Sequence, residues 1–176
     1  MTEVLRPGVL EGVRACVAGA GPLGEAVAAR FAALGATAGA PPAARDGTAP
    51  PTPEDASRPA PDVLVVDGAA LFASAAGVEA VRAALDGAWD AIEPVAKDPM
   101  LILLLAPPPG DAHAEAARAG LENLARTLSI EWARLGIRPV AIHPGTATPA
   151  GEVAELAAFL ASPAGAYYSG CRFDLR

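Results

Sequence analysis

Positive charge is sparse in this sequence, and its scarcity excludes one large class of partners. Lys and Arg number 13 against 20 Asp and Glu, which gives a formal net charge of -7 at pH 7. Nucleic-acid binding depends on clustered Lys and Arg facing the phosphate backbone. The sequence contains no such cluster, so we expect no nucleic-acid partner.

Long hydrophobic runs are also missing. The apolar run Met100 to Ala106 is far shorter than the roughly 20 residues that a membrane-spanning helix needs. The first residues, MTEVLRPGVLEGV, do not contain the apolar stretch of a secretory signal peptide. We therefore expect a soluble, cytoplasmic protein without a membrane partner.

Cysteine and aromatic residues are few. The two cysteines, Cys16 and Cys171, lack metal-ligand spacing, so we expect no metal site and interpret both as reduced, buried thiols. Aromatic residues make up 5% of the chain, whereas hydrophobic residues make up 52%, so small side chains must supply much of the core. A length of 176 residues suits one domain over residues 1–176.

Short apolar runs alternate with amphipathic segments along most of the chain. Buried strands are predicted over 13–20, from Asp62, from Met100, within 137–145 and in the tail from Ser169. Helices are predicted over about 22–34, 77–96, 111–135 and 152–161. This alternation predicts an α/β fold, a three-layer Rossmann-like arrangement whose mainly parallel sheet has helices on both faces.

Residues 40–61, APPAARDGTAPPTPEDASRPAP, interrupt the alternation. A stretch so rich in Pro and Ala, without periodicity, predicts a flexible loop within the domain. Loops of this length are unusual in compact domains, so we interpret it as replacing part of the region between strands 2 and 3. No convincing strand is predicted over residues 36–47, ATAGAPPAARDG, which overlap the start of this segment.

Three glycines follow the first predicted strand. Gly19, Gly21 and Gly24 form G-x-G-x-x-G between a strand and a helix, the context in which this motif contacts a dinucleotide pyrophosphate. Such sites usually add an acidic or basic residue about 20 positions later, to read the ribose. Here Asp46 lies within the Pro-rich segment. Two interpretations therefore stay open, a vestigial cofactor contact and a turn retained for packing.

A resemblance to a known family becomes specific in the second half. Residues 117–145, ARAGLENLARTLSIEWARLGIRPVAIHPG, resemble the helix and strand that follow the active site in short-chain dehydrogenases/reductases. DVLVVDGAA, residues 62–70, is similar to the fourth-strand segment of that family. Residues 152–175 are similar to its C-terminal helix and last strand. The resemblance covers most of the chain outside 40–61 and implies the fold of an NAD(P)-dependent oxidoreductase.

The residues that carry out this family's chemistry have no counterpart here. Its Tyr-x-x-x-Lys pair aligns with Ala114 and Arg118. Alanine cannot exchange a proton with a substrate, and Arg is not an equivalent of Lys. The catalytic serine falls in the segment 106–109, which reads APPP, and the asparagine of its N-N-A-G motif is replaced by Asp67 or Val66. The resemblance therefore predicts no catalytic residue.

Several remaining side chains have alternative interpretations. His113 and His143 are candidates for a substitute acid, since imidazole titrates near neutral pH, but a solvent-facing His113 and a packed His143 are the structural alternatives. Arg118 lies at helical spacing from Glu115 and Glu122, which predicts an ion pair. Core or interface packing is predicted for Trp89, Trp132, Tyr167 and Tyr168.

The retained and missing parts together predict a catalytically inactive subunit that assembles with and supports an active short-chain dehydrogenase/reductase. The resemblance implies an interface through residues 77–97, 112–135 and 152–175, and hence a hetero-oligomer, expected to be a tetramer. We expect NAD(P) in the catalytic partner and no cofactor in this chain alone. Two alternatives stay open, a divergent NAD(P)-dependent oxidoreductase and a homo-oligomeric scaffold or regulatory binding protein.

Overall fold

The computed structural model describes residues 5–39, 60–96 and 98–176. Its strands are β1 (Arg14–Ala18), β2 (Thr37–Ala38), β3 (Val63–Asp67), β4 (Leu101–Leu105), β5 (Arg138–His143) and β6 (Cys171–Asp174). Its helices are α1 (Pro22–Ala33), α2 (Gly68–Ala73), α3 (Val78–Ile92), α4 (Ala112–Glu131) and α5 (Ala150–Ala161).

The strands form one parallel sheet in the order β2-β1-β3-β4-β5-β6. Helices α1 and α5 pack together on one face, and α3 and α4 on the other. The predicted α/β architecture, a parallel sheet between two helical layers, is confirmed.

The continuous apolar strands reflect burial on both faces of the sheet. In β4, Leu101, Leu103 and Leu105 belong to the core under α1 and α5. The alternating residues Ile102 and Leu104 belong to the core under α3 and α4. Successive side chains of a strand point to opposite faces, so a strand covered on both sides needs apolar residues at every position.

The helices differ most from the predicted ones in three places. Helix α2 was not predicted, because Gly68–Ala73 adjoins an apolar strand and is too short to show helical periodicity. The predicted helix 77–96 ends at Ile92. The helix predicted to reach residue 135 ends at Glu131, and a separate 3₁₀ turn, Ala133–Leu135, follows it.

The edge of the sheet beyond β1 is narrow. Strand β2, which was not predicted, pairs with β1 through only two residues, Thr37 and Ala38. The loop predicted over 40–61 falls, for residues 40–59, outside the described residues. The chain is described again from residue 60, where Asp62 forms an ion pair of 3.2 Å with Arg14. This pair fastens the start of β3 to β1.

The two cysteines differ in burial. Cys16 is buried within β1, whereas Cys171 at the start of β6 is only partly buried, so the predicted burial holds for Cys16 alone. Partial burial raises the pKa of the Cys171 thiol. Among the described residues, no helix combines the length and apolar character needed to cross a membrane.

Candidate functional site

The glycine turn, Asp67 and His143 lie at the carboxyl ends of three strands, whereas Asp46 falls outside the described residues. In open parallel sheets this edge is where ligands bind. The glycine turn, residues 19–24, follows β1, and Asp67 ends β3. His143 ends β5, with Pro144 directly after it. The first turns of α4 bring Ala114 and Arg118 toward the same edge, because Arg118 contacts the carbonyl group of Pro144.

The three glycines of the glycine turn leave no room for a side chain. Gly19 has a positive φ of 89°, a conformation that L side chains rarely adopt. A Cβ at Gly21 would lie 2.6 Å from the Cβ of Ala70 and 2.9 Å from Oδ2 of Asp67. A Cβ at Gly24 would lie 3.1 Å from the same oxygen. Close contacts with the ends of β1 and β3 and with the start of α2 therefore favour glycine at these positions.

Asp67 is the central polar group of this turn. Its side chain is fully buried, and Oδ2 accepts a hydrogen bond of 2.8 Å from the backbone N–H of Gly24. Oδ1 accepts one of 3.0 Å from the N–H of Ala70, so Asp67 also caps α2. The sequence resemblance presents Asp67 only as a replacement for an asparagine, and this cap was not predicted. The signal that could have revealed it is a carboxylate between a buried strand and a small-residue segment.

Ala114 and Arg118, which the resemblance aligns with Tyr and Lys, are engaged in packing and in backbone hydrogen bonds. Ala114 lies in the first turn of α4 and is buried, with 5% of its surface exposed. Asp111 caps this helix, and its Oδ1 accepts hydrogen bonds of 3.0 Å from the N–H groups of His113 and Ala114. These hydrogen bonds, chiefly the one from the N–H of Ala114, lower the pKa of Asp111. A methyl group thus occupies the place where a hydroxyl would be needed.

Arg118 bridges the two loops that follow β4 and β5. Its Nη1 donates hydrogen bonds of 2.6 Å to the carbonyl oxygen of Pro107 and 3.0 Å to that of Pro144. Its Nε lies 3.6 Å from Oε2 of Glu115, one of the two predicted acidic neighbours. The other, Glu122, pairs instead with Arg172 at 2.6 Å. With 11% of its side chain exposed, Arg118 closes the gap between these loops.

Comparison with solved structures places this arrangement in a known fold, although no family model matches the sequence. BdcA of E. coli superposes with a TM-score of 0.72 at 22% identity, over 96% of this chain and 100% of that one. The chain has the short-chain dehydrogenase fold. A short chain dehydrogenase of Mycobacterium smegmatis gives 0.75 at 22% identity, covering 100% of this chain and 96% of its own.

Two further structures share the short-chain dehydrogenase fold. The citronellol catabolism dehydrogenase AtuB of Pseudomonas aeruginosa superposes with a TM-score of 0.74 at 22% identity, over 98% of this chain and 97% of that one. A structure of BdcA in complex with NADPH gives 0.72 at 20% identity, with coverages of 96% and 94%. Identities this low establish the shared fold and leave the activity of this chain to its own residues.

Within this short-chain dehydrogenase fold the two histidines differ sharply. His113 is exposed over 46% of its side chain and lies 3.5 Å from a carboxylate oxygen of Asp111. His143 is 3% exposed, and its Nδ1 lies 3.8 Å from Oδ1 of Asp174. Burial, followed by the charge of Arg118, lowers the pKa of His143. Its Nε2 is buried and makes no hydrogen bond within the described part of the chain.

The two tryptophans lie on the outer helical layer, and the two tyrosines lie before β6. The rings of Trp89 and Trp132 are 6.0 Å apart, and Trp89 is 43% exposed. Tyr168 packs edge-on against Phe173 at 5.2 Å, while Tyr167 is 95% exposed. In the described ranges, no group of three His, Cys, Asp or Glu residues is arranged to hold a metal ion.

Proposed function

We propose that this chain is a catalytically inactive subunit that assembles with and supports an active short-chain dehydrogenase/reductase subunit. The observation that carries the proposal is the use of Arg118, whose guanidinium holds the carbonyl groups of Pro107 and Pro144 beside the methyl group of Ala114. A carbonyl substrate needs a proton donor at hydrogen-bond distance. Neither of these side chains supplies one, because Ala114 has no ionisable proton and Arg keeps its own in proteins.

The exposed surface supports the assembly part of the proposal. Among residues 5–39, 60–96 and 98–176, every large hydrophobic side chain classed as exposed lies in the three segments predicted to form an interface. These side chains are Val78, Trp89, Ile130, Tyr167 and Tyr168. Aromatic side chains contribute strongly to binding energy at interfaces. Their restriction to these segments favours a protein partner at these segments, and NAD(P) would then belong to that partner.

Purification from the native cells tests this proposal. We expect the tagged chain to recover a second polypeptide, identified by mass spectrometry, that resembles a short-chain dehydrogenase and retains Tyr-x-x-x-Lys. The complex should oxidise NAD(P)H with a ketone, and the isolated chain should not. Turnover by the isolated chain would overturn the proposal. A stable homo-oligomer that recruits no such partner would favour the scaffold alternative.

A divergent oxidoreductase is the second candidate, and His143 is the observation that favours it. Its imidazole lies at the ligand-binding edge of the sheet, and its buried Nε2 lacks a hydrogen bond within the described residues. If the isolated chain shows turnover, His143→Gln distinguishes the candidates. Loss of that activity in the variant, with His113→Gln unaffected, would assign the proton transfer to His143.

A further inference from the structure

The glycine turn raises a separate question, which is whether its helix terminus is open to an anion. In dinucleotide-binding folds the pyrophosphate is held by backbone N–H groups at the start of the first helix. The corresponding helix here is α1, whose first residue, Pro22, has no N–H group. The N–H of Gly24 donates to the buried carboxylate of Asp67, at 2.8 Å.

The same carboxylate also lies against two of the glycines. A Cβ built on Gly21 would approach Oδ2 of Asp67 to 2.9 Å, and one built on Gly24 would approach it to 3.1 Å. Oδ2 of Asp67 therefore lies against both glycines, and it already accepts the N–H of Gly24 that a phosphate oxygen would need. A carboxylate additionally repels a second anion, and such repulsion is strong at a buried position.

The residues present therefore do not fit a dinucleotide. We infer that Asp67 serves as an internal anion that takes the place of the cofactor pyrophosphate at the glycine turn, and that it excludes NAD(P) from this chain. This inference goes beyond the proposed subunit role, because a supporting subunit with an intact nucleotide site is equally compatible with that role. It also explains why Gly21 and Gly24, which both lie against Oδ2 of Asp67, carry no side chain.

Ligand binding to matched variants tests the inference. Asp67→Asn keeps the shape of the side chain and removes its charge, while Asp67→Ala also empties the space. Asp111→Asn changes the net charge equally, but at the N-terminus of α4. Calorimetric titrations would use NADPH and inorganic pyrophosphate, with adenosine as an uncharged control. Circular dichroism would verify that each variant is folded.

We expect wild type and Asp111→Asn to bind neither anion at about 1 mM, the weak end of specific binding. Asp67→Asn or Asp67→Ala should bind pyrophosphate and NADPH at least about tenfold more tightly than wild type, with adenosine unchanged. Micromolar binding of NADPH by wild type would overturn the inference. Equal affinities for wild type and the folded Asp67 variants would overturn it as well.

A measurement on the wild-type chain tests the inference even if the variants fail to fold. In a ¹⁵N-labelled sample, the amide resonance of Gly24 should stay in place on addition of pyrophosphate or NADPH, since its hydrogen already bonds Asp67. A saturable shift of that resonance would contradict the inference. The result is independent of the subunit proposal, since a variant that gains NADPH would still lack a proton donor at Ala114 and should show no turnover.

Discussion

At the scale of single residues, the site is built from polar groups that satisfy the chain's own backbone. Asp67 accepts N–H groups from two helices, and Arg118 donates to the carbonyl groups of two loops. Buried backbone groups that lose such partners cost about 1–3 kcal/mol each. Both charged side chains therefore stabilise the edge of the sheet where a catalytic site would otherwise be open.

Arg118→Met should lower the free energy of unfolding by about 1–3 kcal/mol, because the carbonyl groups of Pro107 and Pro144 lose their shared donor. Urea denaturation measures the change. Arg126→Met is the matched control, since Arg126 is 67% exposed and pairs only with Glu122 at 3.4 Å, and its effect should stay within about 0.5 kcal/mol. Equal effects of the two substitutions would contradict a structural role for Arg118.

His143 should make stability depend on pH. Burial lowers its pKa below 6.5 in the folded chain, so on acidification the unfolded state takes up this proton first. Stability from this group is present above pH 6.5 and is lost as the pH falls from there toward the folded-state pKa. The slope contributed by one proton cannot exceed about 1.4 kcal/mol per pH unit.

His143→Gln should therefore flatten the pH dependence of the unfolding free energy between about pH 5 and 7. Urea titrations at several pH values measure it. His113→Gln, at the exposed histidine, should keep the wild-type slope. If both variants retain that slope, the folded chain does not hold His143 in its neutral form. The lowered pKa values of Asp62 and Asp111 act at more acidic pH and do not interfere.

At the scale of elements, the close packing of small residues determines where helices meet strands and turns. Ala80, Ala84 and Ala88 form the buried stripe of α3, and Ala117 and Ala125 belong to that of α4. Short side chains let backbones approach closely, which explains how a core with few aromatic residues stays packed. Periodicity predicted these helices well. It did not predict their ends, because the apolar pattern continues through the turns that follow Ile92 and Glu131, and helix ends commonly pass into such turns.

The turn after α5 is the tightest of these contacts. A Cβ at Gly165 would collide with the backbone of Leu160, which cannot rotate away. Gly165→Ala should therefore destabilise the chain by at least about 2 kcal/mol. Gly151→Ala is the control, because nothing lies within 4 Å of its added Cβ, and it should raise stability by up to about 1 kcal/mol. Thermal and urea unfolding would measure these opposite changes in the free energy of unfolding. Similar decreases in both variants would contradict the prediction.

At the scale of the whole molecule, the carboxyl edge of the sheet differs from the outer helical surface. At that edge Asp67 and Arg118 bond backbone groups of the chain itself. The exposed large hydrophobic side chains in the described ranges lie on α3, on α4 and in the segment after α5. The proposed assembly would bury these exposed side chains.

Substitution of exposed apolar residues should therefore weaken binding to the partner identified by copurification. Ile130 is 79% exposed and Tyr167 is 95% exposed, so Ile130→Ser and Tyr167→Ser leave the core intact. We expect at least one of them to raise the Kd tenfold or more, about 1.4 kcal/mol of binding free energy, in sedimentation measurements. Ala29→Ser, on the exposed side of α1, is the control. Unchanged affinity in both variants would place the interface elsewhere.

The sequence by itself determined the α/β class and the parallel sheet, and it predicts the absence of a Tyr-x-x-x-Lys pair. Apolar periodicity encodes which faces of an element are buried, and the presence of an ionisable proton is a property of the residue type alone. Only the tertiary structure decided that Asp67 bonds Gly24, 43 positions away, and that Arg118 holds Pro107 and Pro144. Hydrogen bonds form only near 3 Å, and strand order and register, rather than local pattern, bring distant segments to that separation.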